Sequence, residues 1–228
     1  MKVLNIYAKS EEDVLTVIKK VKFKGKLGLT TTIQNVHRLK EIQKVIPNSI
    51  ICGQVLGCDA SLAVRHQNEV DAFLYIGSGK FHPIEIALHT NKKVICANPI
   101  TNEITEITNE EVELRRKRIK GAYLKFLSAK KVGIIVTTKS GQGVLPLALR
   151  ARNNDQLKDK EVFIFLCNTL NFNELENYPD IECWINTACP RIATEDNDKL
   201  SRPMINLEEI NKTYPLVPPY VIKDIKKA

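Results

Sequence analysis

Short apolar runs alternate with segments of helical spacing along most of this chain, and that alternation constrains its fold more than any other feature. Each run has the length of a buried strand and is separated from the next by a segment typical of a helix. The predicted strands cover residues 2–8, 26–31, 49–52, 71–77, 92–97, 131–138, 161–168 and 181–188. This order predicts an α/β fold with mainly parallel sheets covered by helices.

A change of composition near the middle of the chain predicts a domain boundary. The polar segment 101–110 precedes the strongly basic helical sequence ELRRKRIKGAYLKFLSAK, and a new strand–helix series follows it. We therefore expect two consecutive three-layer α/β domains, residues 1–108 and residues 109–228. The first predicted helix begins at Ser10, because apolar residues from Val14 to Val21 follow 3.6-residue spacing.

Composition excludes several classes of protein. A hydrophobic content of 43% over 228 residues is incompatible with disorder of the whole chain. No apolar run approaches the roughly 20 residues of a membrane-spanning helix, so no membrane association is expected. Six cysteines without a signal peptide are typical of the reducing cytoplasm, where thiols stay reduced or bind metal.

The formal charge of +8 has two interpretations. A basic surface can bind nucleic acid or an acidic protein, whereas a lysine-rich surface needs no such partner. Since no RNA-binding motif accompanies the charge, no nucleic-acid partner is expected. A nucleotide- or RNA-binding α/β protein is kept as an alternative of a different class.

Four glycine- or cysteine-containing loops follow predicted strands at their carboxyl ends, where α/β proteins bind ligands. They are GQVLGCD (53–59), IGSGKFHP (76–83), TTKSGQG (137–143) and NTACPRIA (186–193). Glycines in such turns let an anion approach the backbone, but a plain tight turn fits the same sequence. The turn at Gly77, Ser78 and Gly79 is the first candidate of this kind.

His82 lies in the second of these loops. Pro83 is expected at the first position of the next helix, which leaves Lys80, Phe81 and His82 on the turn above the sheet. His82 can then contact a ligand or transfer a proton, and a structural hydrogen bond explains it equally well.

Two of the six cysteines lie in these loops. Cys58 and Cys189 are placed where a thiolate can reach out of the sheet, although their distance in sequence is not that of a local metal motif. The other four lie within or at the ends of apolar strands and are predicted to be core residues. They are Cys52, Cys96, Cys167 and Cys183.

Taken together, the segments TTTIQNVHRL, GQVLGCD, VDAFLYIGSGKFHPIEIAL, VTTKSGQG and INTACPRIA resemble the diphthamide synthases, the 2-(3-amino-3-carboxypropyl)histidine synthases of archaea and eukaryotes. These segments follow the order found in that family and span nearly the whole chain. Members of the family have three α/β domains, each giving one cysteine to a central [4Fe–4S] cluster whose remaining iron is open to S-adenosylmethionine. The resemblance implies that Cys58 and Cys189 are cluster ligands.

The activity implied by the resemblance is the first step of diphthamide biosynthesis. The bond between the sulfonium and the γ-carbon of S-adenosylmethionine is cleaved, and the 3-amino-3-carboxypropyl radical adds to a histidine of elongation factor 2. Candidates to hold the methionine carboxylate are Arg191 and Gln142 with the backbone of Gly141. Gly77, Ser78, Gly79 and His82 are further candidates for cofactor binding.

One departure from the family pattern bears on the partners. The chain starts where the second domain of the family begins, so a separate first-domain polypeptide is expected to supply the third cysteine. A homodimer or heterodimer and an electron donor are further expected partners. Two alternatives are a third thiolate from Cys52 or Cys96, and a non-catalytic subunit that holds the cluster or acts as a scaffold.

Overall fold

The computed structural model describes Leu4 and residues 6–139, 145–153, 155–195 and 200–211. It is a mixed α/β protein with two mainly parallel sheets, which confirms the predicted fold class. Contacts divide the described chain into a first unit that ends at Val112 and a second unit that begins at Glu113. The domain limits of 1–108 and 109–228 stay a prediction.

The first unit contains a five-stranded sheet. Its strands are β1 (Leu27–Thr31), β2 (Ser49–Gln54), β3 (Ala72–Ile76), β4 (Lys93–Asn98) and β5 (Glu103–Glu106), in the order β2-β1-β3-β4-β5. All neighbours are parallel except β4 and β5. Parallel pairing brings the carboxyl ends of β1 to β4 to one edge of the sheet, where the loops of interest begin.

Helices cover both faces of this sheet. They are α1 (Val14–Ile18), α2 (Leu39–Val45), α3 (Ser61–His66) and α4 (Phe81–Thr90), with 3₁₀ turns at Ile33–Arg38 and Gln67–Glu69. Since side chains of a strand alternate between faces, Leu74 of β3 packs with α1 and α2, whereas Phe73 and Tyr75 pack with α3 and α4. The first unit therefore has three layers.

A bulge interrupts the pairing of β1 with β2. Leu29 pairs with Ile51 and Thr30 with Gly53, so Cys52 is the extra residue. Gly53 has a φ of 103°, a conformation that favours glycine. The bulge lies immediately before the loop that carries Cys58.

The second unit contains a four-stranded, all-parallel sheet. Its strands are β6 (Lys131–Thr137), β7 (Glu161–Cys167), β8 (Cys183–Asn186) and β9 (Met204–Asn206), in the order β7-β6-β8-β9. The helices are α5 (Asn109–Ser128), which begins at the end of the first unit, α6 (Leu145–Arg152), α7 (Phe172–Leu175), α8 (Arg191–Thr194) and α9 (Leu207–Asn211), with a 3₁₀ turn at Asp155–Leu157.

Two apolar clusters fill the second unit, one on each face of its sheet. Phe126 of α5, Ala148 of α6 and Ile210 of α9 pack on one face. Trp184 of β8 packs with Leu175 of α7 on the other face. This unit also has three layers.

The start of the chain differs from the prediction. The described residues between 4 and 8 form no strand, and Leu4 and Ile6 are 83% and 84% exposed. The first helix begins at Val14 instead of Ser10, because the Asp13 carboxylate accepts a hydrogen bond from Leu15 N (2.9 Å) and caps it.

The polar segment near the predicted boundary also contains structure that the sequence did not indicate. β5 pairs with β4 within it, and α5 then begins with a capping box. Thr108 N donates to the Glu111 carboxylate (2.9 Å), and Glu111 N donates to Thr108 Oγ1 (3.2 Å). In the described residues, no helix combines the length and apolar character needed to cross a membrane.

Candidate functional site

Cys58 lies at the tip of a small backbone hairpin after β2. Leu56 N donates to Asp59 O (2.9 Å), Asp59 N donates to Leu56 O (3.2 Å), and Val55 N donates to Thr31 O (2.8 Å), which ties the loop to β1. The Cys58 side chain is exposed. The sequence prediction that this thiol projects from the sheet agrees with its position here.

The hairpin is held against α4 by close packing between a glycine and an aromatic ring. A Cβ on Gly57 would lie 1.7 Å from Cε1 of Phe81, so only glycine fits beneath this ring. The loops GQVLGCD and IGSGKFHP are therefore in direct contact within the first unit. The sequence did not predict this contact, because no local pattern links residues so far apart in the chain.

The turn after β3 carries Gly77, Ser78 and Gly79. Gly77 and Gly79 have φ values of 155° and 72°, so the backbone conformation itself requires glycine at Gly79, where a Cβ would meet nothing within 4 Å. Gly77 N donates to Ala97 O (3.0 Å), so this amide stabilises the end of β4. Ser78 and Gly79 are exposed.

His82 lies in the first turn of α4, which differs from its predicted place in a loop. The helix begins at Phe81, so Pro83 occupies the third position, where a missing N–H costs no helical hydrogen bond. The His82 ring is stacked on Tyr75 (6.1 Å between centroids, 12° between planes) and meets Phe81 edge-on (5.6 Å, 74°). These contacts fix the plane of the imidazole, which is half-exposed.

An ion pair closes this part of the first unit. Lys80 Nζ lies 2.6 Å from Glu111 Oε1. Partial burial raises the pKa of Glu111, but hydrogen bonds from Lys80 and from Thr108 N outweigh it, so its pKa lies below the usual range. Glu111 is therefore charged at neutral pH and holds Lys80 at the start of α4.

Cys189 lies in the loop between β8 and α8 and is half-exposed. The loop is anchored by Asn186, the last residue of β8, which is buried. Its Nδ2 donates to Cys189 O (2.9 Å), and its Oδ1 accepts from Ala188 N (3.0 Å). Thr187 Oγ1 donates to Ile135 O (2.8 Å), which ties the loop to β6.

A second buried asparagine completes the anchor of this loop. Asn206, the last residue of β9, accepts a hydrogen bond from Asn186 Nδ2 at its Oδ1 (2.7 Å) and donates from Nδ2 to Pro190 O (3.2 Å). Glu209 accepts from Asn206 N (3.1 Å). Neither β9 nor the anchoring role of these asparagines was predicted from the sequence, because a three-residue strand is too short to give a periodic signal.

Arg191 begins α8, two residues after Cys189. Its Nε lies 2.7 Å from Glu195 Oε2, so the guanidinium is paired along its own helix. That Arg191 holds the methionine carboxylate stays a prediction. Such binding requires the Arg191 guanidinium to leave the Glu195 carboxylate and to pair with the methionine carboxylate instead. Gly141 and Gln142 lie outside the described residues.

Three of the other four cysteines are more buried than Cys58 and Cys189. Cys52, Cys96 and Cys183 are at most 5% exposed, and burial raises the pKa of each thiol to about 12. They remain protonated at neutral pH, which argues against Cys52 or Cys96 as a third ligand. Cys167, predicted to be a core residue, is half-exposed at the end of β7.

The donor chemistry of the two accessible loop thiols suits an iron–sulfur cluster, which proteins hold through cysteine thiolates. Each unit offers one such thiol, on a loop that leaves a parallel strand at its carboxyl end. Among the described residues, no three His, Cys, Asp or Glu side chains come together as a metal site. Within one unit, therefore, the described side chains can supply one thiolate ligand but not the complete set of ligands that a cluster needs.

Comparison with known proteins assigns the chain to a family. The family model for diphthamide synthesis proteins matches residues 1–214. This chain belongs to the diphthamide synthesis family. The resemblance inferred from the loop sequences is thereby confirmed.

Individual relatives agree with the family match. The chain is 34% identical over 199 residues to 2-(3-amino-3-carboxypropyl)histidine synthase of Pyrococcus horikoshii, covering 81% of this chain and 56% of the relative. It is 25% identical over 241 residues to subunit 1 of the Schizosaccharomyces pombe synthase, covering 96% of this chain and 54% of the relative. The chain thus spans a little over half the length of these relatives.

A solved structure in the diphthamide synthesis family has the same fold. The crystal structure of Dph2 from Pyrococcus horikoshii with a 4Fe-4S cluster superposes with a TM-score of 0.74 at 30% identity. The match covers 89% of this chain and 62% of the Dph2 chain. That relative carries the kind of cofactor to which the two loop thiols are suited.

Proposed function

We propose that this chain is the part of a 2-(3-amino-3-carboxypropyl)histidine synthase that supplies two ligands of a [4Fe–4S] cluster, Cys58 and Cys189. The proposal rests on one observation: each unit has one accessible thiol in a loop that follows a parallel strand. Membership of the diphthamide synthesis family and the cluster in a related structure support it.

The proposed reaction is transfer of the 3-amino-3-carboxypropyl group to a histidine of elongation factor 2 in the cytoplasm. When bound, such a cluster supplies one electron to the sulfonium of S-adenosylmethionine, so that the bond to the γ-carbon breaks and methylthioadenosine leaves. An electron donor is therefore a required partner. The product histidine would form when the adduct returns one electron to the oxidised cluster and loses one proton to solvent.

The residues of this chain act as ligands and positioning groups in this proposal. The Cys58 hairpin and the asparagine-anchored Cys189 loop hold the thiolates in fixed orientations, as a cluster site requires. Ser78, Gly79 and His82 are close in sequence to Phe81, whose ring packs on Gly57 of the Cys58 loop, and in this proposal they face the substrate. Gly77 shapes the same turn, while Arg191, Gln142 and the backbone of Gly141 bind the methionine carboxylate.

The third ligand, in this proposal, comes from a separate first-domain polypeptide with one loop cysteine. The burial of Cys52, Cys96 and Cys183 supports a source outside these residues, since their thiols stay protonated. The name subunit 1 carried by the Schizosaccharomyces pombe relative is consistent with a multi-subunit enzyme.

Anaerobic reconstitution tests the ligands first. The chain is assembled with the first-domain polypeptide, and iron per complex is measured for wild type, Cys58→Ala, Cys189→Ala and the matched control Cys167→Ala. We expect the first two variants to lose the cluster absorbance and most of the iron, and the control to keep both. Equal iron in Cys58→Ala and Cys167→Ala would contradict the ligand assignment.

Activity is tested separately, by methylthioadenosine release and by the mass of elongation factor 2 after reaction with S-adenosylmethionine and a reductant. The complex should release methylthioadenosine and add the 3-amino-3-carboxypropyl group, and Cys58→Ala should do neither. Unchanged modification by Cys58→Ala would instead favour a scaffold subunit. An iron-loaded wild-type complex that releases no methylthioadenosine would contradict the proposed reaction.

A further inference from the structure

The basic helix α5 borders a cavity of the second unit. The cavity has a volume of about 330 Å³ and lies between α5, α8, α9 and the start of β9. Ligand cavities of proteins range from about 300 to 1,000 Å³, so its size admits a small molecule. Neither Cys189 nor Arg191 is among its described lining residues, and the proposed activity makes no use of it.

The described lining of this cavity is strongly basic. Four cationic side chains from α5 line it, whereas Glu209 of α9 supplies the one carboxylate of the described lining. The four cations belong to Arg115, Lys117, Arg118 and Lys125. Arg118 and Lys125 are seven residues apart, so they lie on the same face of the helix. Such an excess of positive charge in a cavity favours an anionic ligand.

Three of these cations are available to a ligand. Lys117, Arg118 and Lys125 are exposed, and within the described part of the chain no carboxylate pairs with them. The neighbouring Arg116, which does not line the cavity, pairs with Glu113 instead (Nη1 to Oε1, 2.7 Å). The basic stretch of α5 is therefore not neutralised where it borders the cavity.

The one carboxylate of the described lining is already engaged. Glu209 is 8% exposed, and it accepts hydrogen bonds from Asn206 N at Oε2 (3.1 Å) and from Asn206 Nδ2 at Oε1 (3.4 Å). In the α8 part of the lining, Thr194 Oγ1 donates to Pro190 O (3.0 Å). These bonds fix two parts of the wall, so the cavity is formed before any ligand binds.

Between the charged groups, the lining is apolar. It includes Ile119 and Ala122 of α5, Ala193 of α8 and the buried Met204 of β9. Gly121 adds no side chain, and a Cβ at this position would meet nothing within 4 Å, so the helix surface is open there. Thioether and guanidinium groups both make favourable contacts with aromatic rings. The lining therefore suits a ligand that joins an aromatic ring to anionic groups.

We propose that this cavity binds a nucleotide, with its base against the apolar lining and its phosphates at Arg118 and Lys125. Guanidinium and ammonium groups are the common protein partners of phosphate. S-adenosylmethionine does not fit the same lining, because its sulfonium and amino groups give it a net positive charge. The nucleotide site is therefore separate from the proposed substrate site and independent of the proposed activity.

Isothermal titration calorimetry of the full chain with ADP tests the site. We expect a single ADP to bind, and adenosine and pyrophosphate to bind at least about 10-fold more weakly, because each lacks part of the contacts. Arg118→Ala/Lys125→Ala should raise the dissociation constant for ADP by about 10-fold or more. The matched control Lys120→Ala/Lys130→Ala removes the same charge from exposed residues outside the lining and should bind like the wild type.

Gly121→Leu tests the shape of the cavity without a change of charge. The leucine side chain enters open space beside α5, so the circular dichroism spectrum should stay unchanged while ADP binds about 10-fold or more weakly. A wild type that binds no ADP, equal losses in the two double variants, or ADP binding unaffected by Gly121→Leu would overturn the proposal. Pyrophosphate binding as tight as that of ADP, or displacement of ADP by an equal concentration of S-adenosylmethionine, would overturn it as well.

Discussion

Cys58 and Cys189 both lie in loops at the carboxyl ends of parallel strands, but Cys58 follows the edge strand β2 and Cys189 follows the internal strand β8, and different forces hold the two loops. The Cys58 hairpin is closed by backbone hydrogen bonds and packed through Gly57 under the ring of Phe81. The Cys189 loop depends on buried amide groups of Asn186 and Asn206. A thiol can thus be presented from a strand end either by tight apolar packing or by a buried polar network.

The largest expected effect comes from disrupting the packing of Gly57 against the Phe81 ring. Gly57→Val places carbon atoms inside the Phe81 ring, and we expect the free energy of unfolding to fall by about 3 kcal/mol or more, measured by urea denaturation. The alkylation rate of Cys58, monitored by peptide mass spectrometry, should change, whereas the alkylation rate of Cys189 should not.

Two variants serve as controls for Gly57→Val. Gly121→Ala, in the middle of α5 where a Cβ meets nothing within 4 Å, should raise the unfolding free energy by about 0.5–1 kcal/mol. Combining Gly57→Val with Phe81→Ala should restore part of the loss. No rescue by the second substitution would contradict the packing argument.

Removing the hydrogen bonds of Asn186 that anchor the Cys189 loop should lower the unfolding free energy somewhat less. Asn186→Ala leaves the Cys189 and Asn206 acceptors without this donor, and we expect a loss of about 2–3 kcal/mol in the unfolding free energy. Cys189 should then be alkylated faster, with Cys58 unchanged. The exposed Asn173→Ala should alter stability by less than about 0.5 kcal/mol.

The coupling between the two asparagines gives a further test of the network. Because they bond to each other, the double variant Asn186→Ala/Asn206→Ala should lose less than the sum of the two single variants. Strictly additive losses in urea denaturation would show that the two side chains act separately.

The buried thiols predict a different alkaline sensitivity in the two units. The pKa of Cys52 and Cys96 in the first unit and of Cys183 in the second is raised from 9.0 to about 12. Below pH 9 both folded and unfolded states hold the proton, and above it the unfolded state loses the proton first. Stability should therefore fall above pH 9, by about 1 kcal/mol per thiol at pH 10.

Unfolding free energies measured between pH 8 and pH 10 check this comparison. Cys52→Ala/Cys96→Ala should reduce the alkaline decline about twice as much as Cys183→Ala, since the first unit holds two such thiols. An equal reduction by the double and the single variant would contradict the burial argument.

The smallest effect is expected at the ion pair of α8. Arg191 is exposed and Glu195, at the end of α8, is half-exposed, so Glu195→Gln should change the unfolding free energy by no more than about 0.5 kcal/mol. The same variant removes the carboxylate that competes for Arg191. Tighter binding of S-adenosylmethionine by the cluster-loaded complex, measured by equilibrium dialysis, would support Arg191 as the carboxylate partner, and unchanged binding would oppose it.

The fold was largely predictable from sequence because its central strands are apolar on both faces. β3, with five buried residues, and β6 lie close to their predicted limits. Residues 2–8 were predicted as a strand for the same reason, but the described residues among them, Leu4 and residues 6–8, form none. β5 escaped prediction because its Glu and Thr residues have the composition of a linker.

The candidate site was predictable only in part. Strand-end positions made Cys58 and Cys189 plausible, and the family resemblance selected them. The contacts that hold them, Gly57 with Phe81 and Asn186 with Asn206, join residues far apart in the chain. Such contacts depend on how the loops pack, which no periodic pattern in the sequence describes.

The bulge in β2 has a consequence for chain length. Because Ile51 and Gly53 already face consecutive residues of β1, removing Cys52 would leave regular pairing on both sides of the gap. The tie from Val55 N to Thr31 O, and with it the Cys58 hairpin, would keep its place. Homologues shorter by one residue before the hairpin should therefore show their deletion at position 52, with the ligand loop itself unchanged in length.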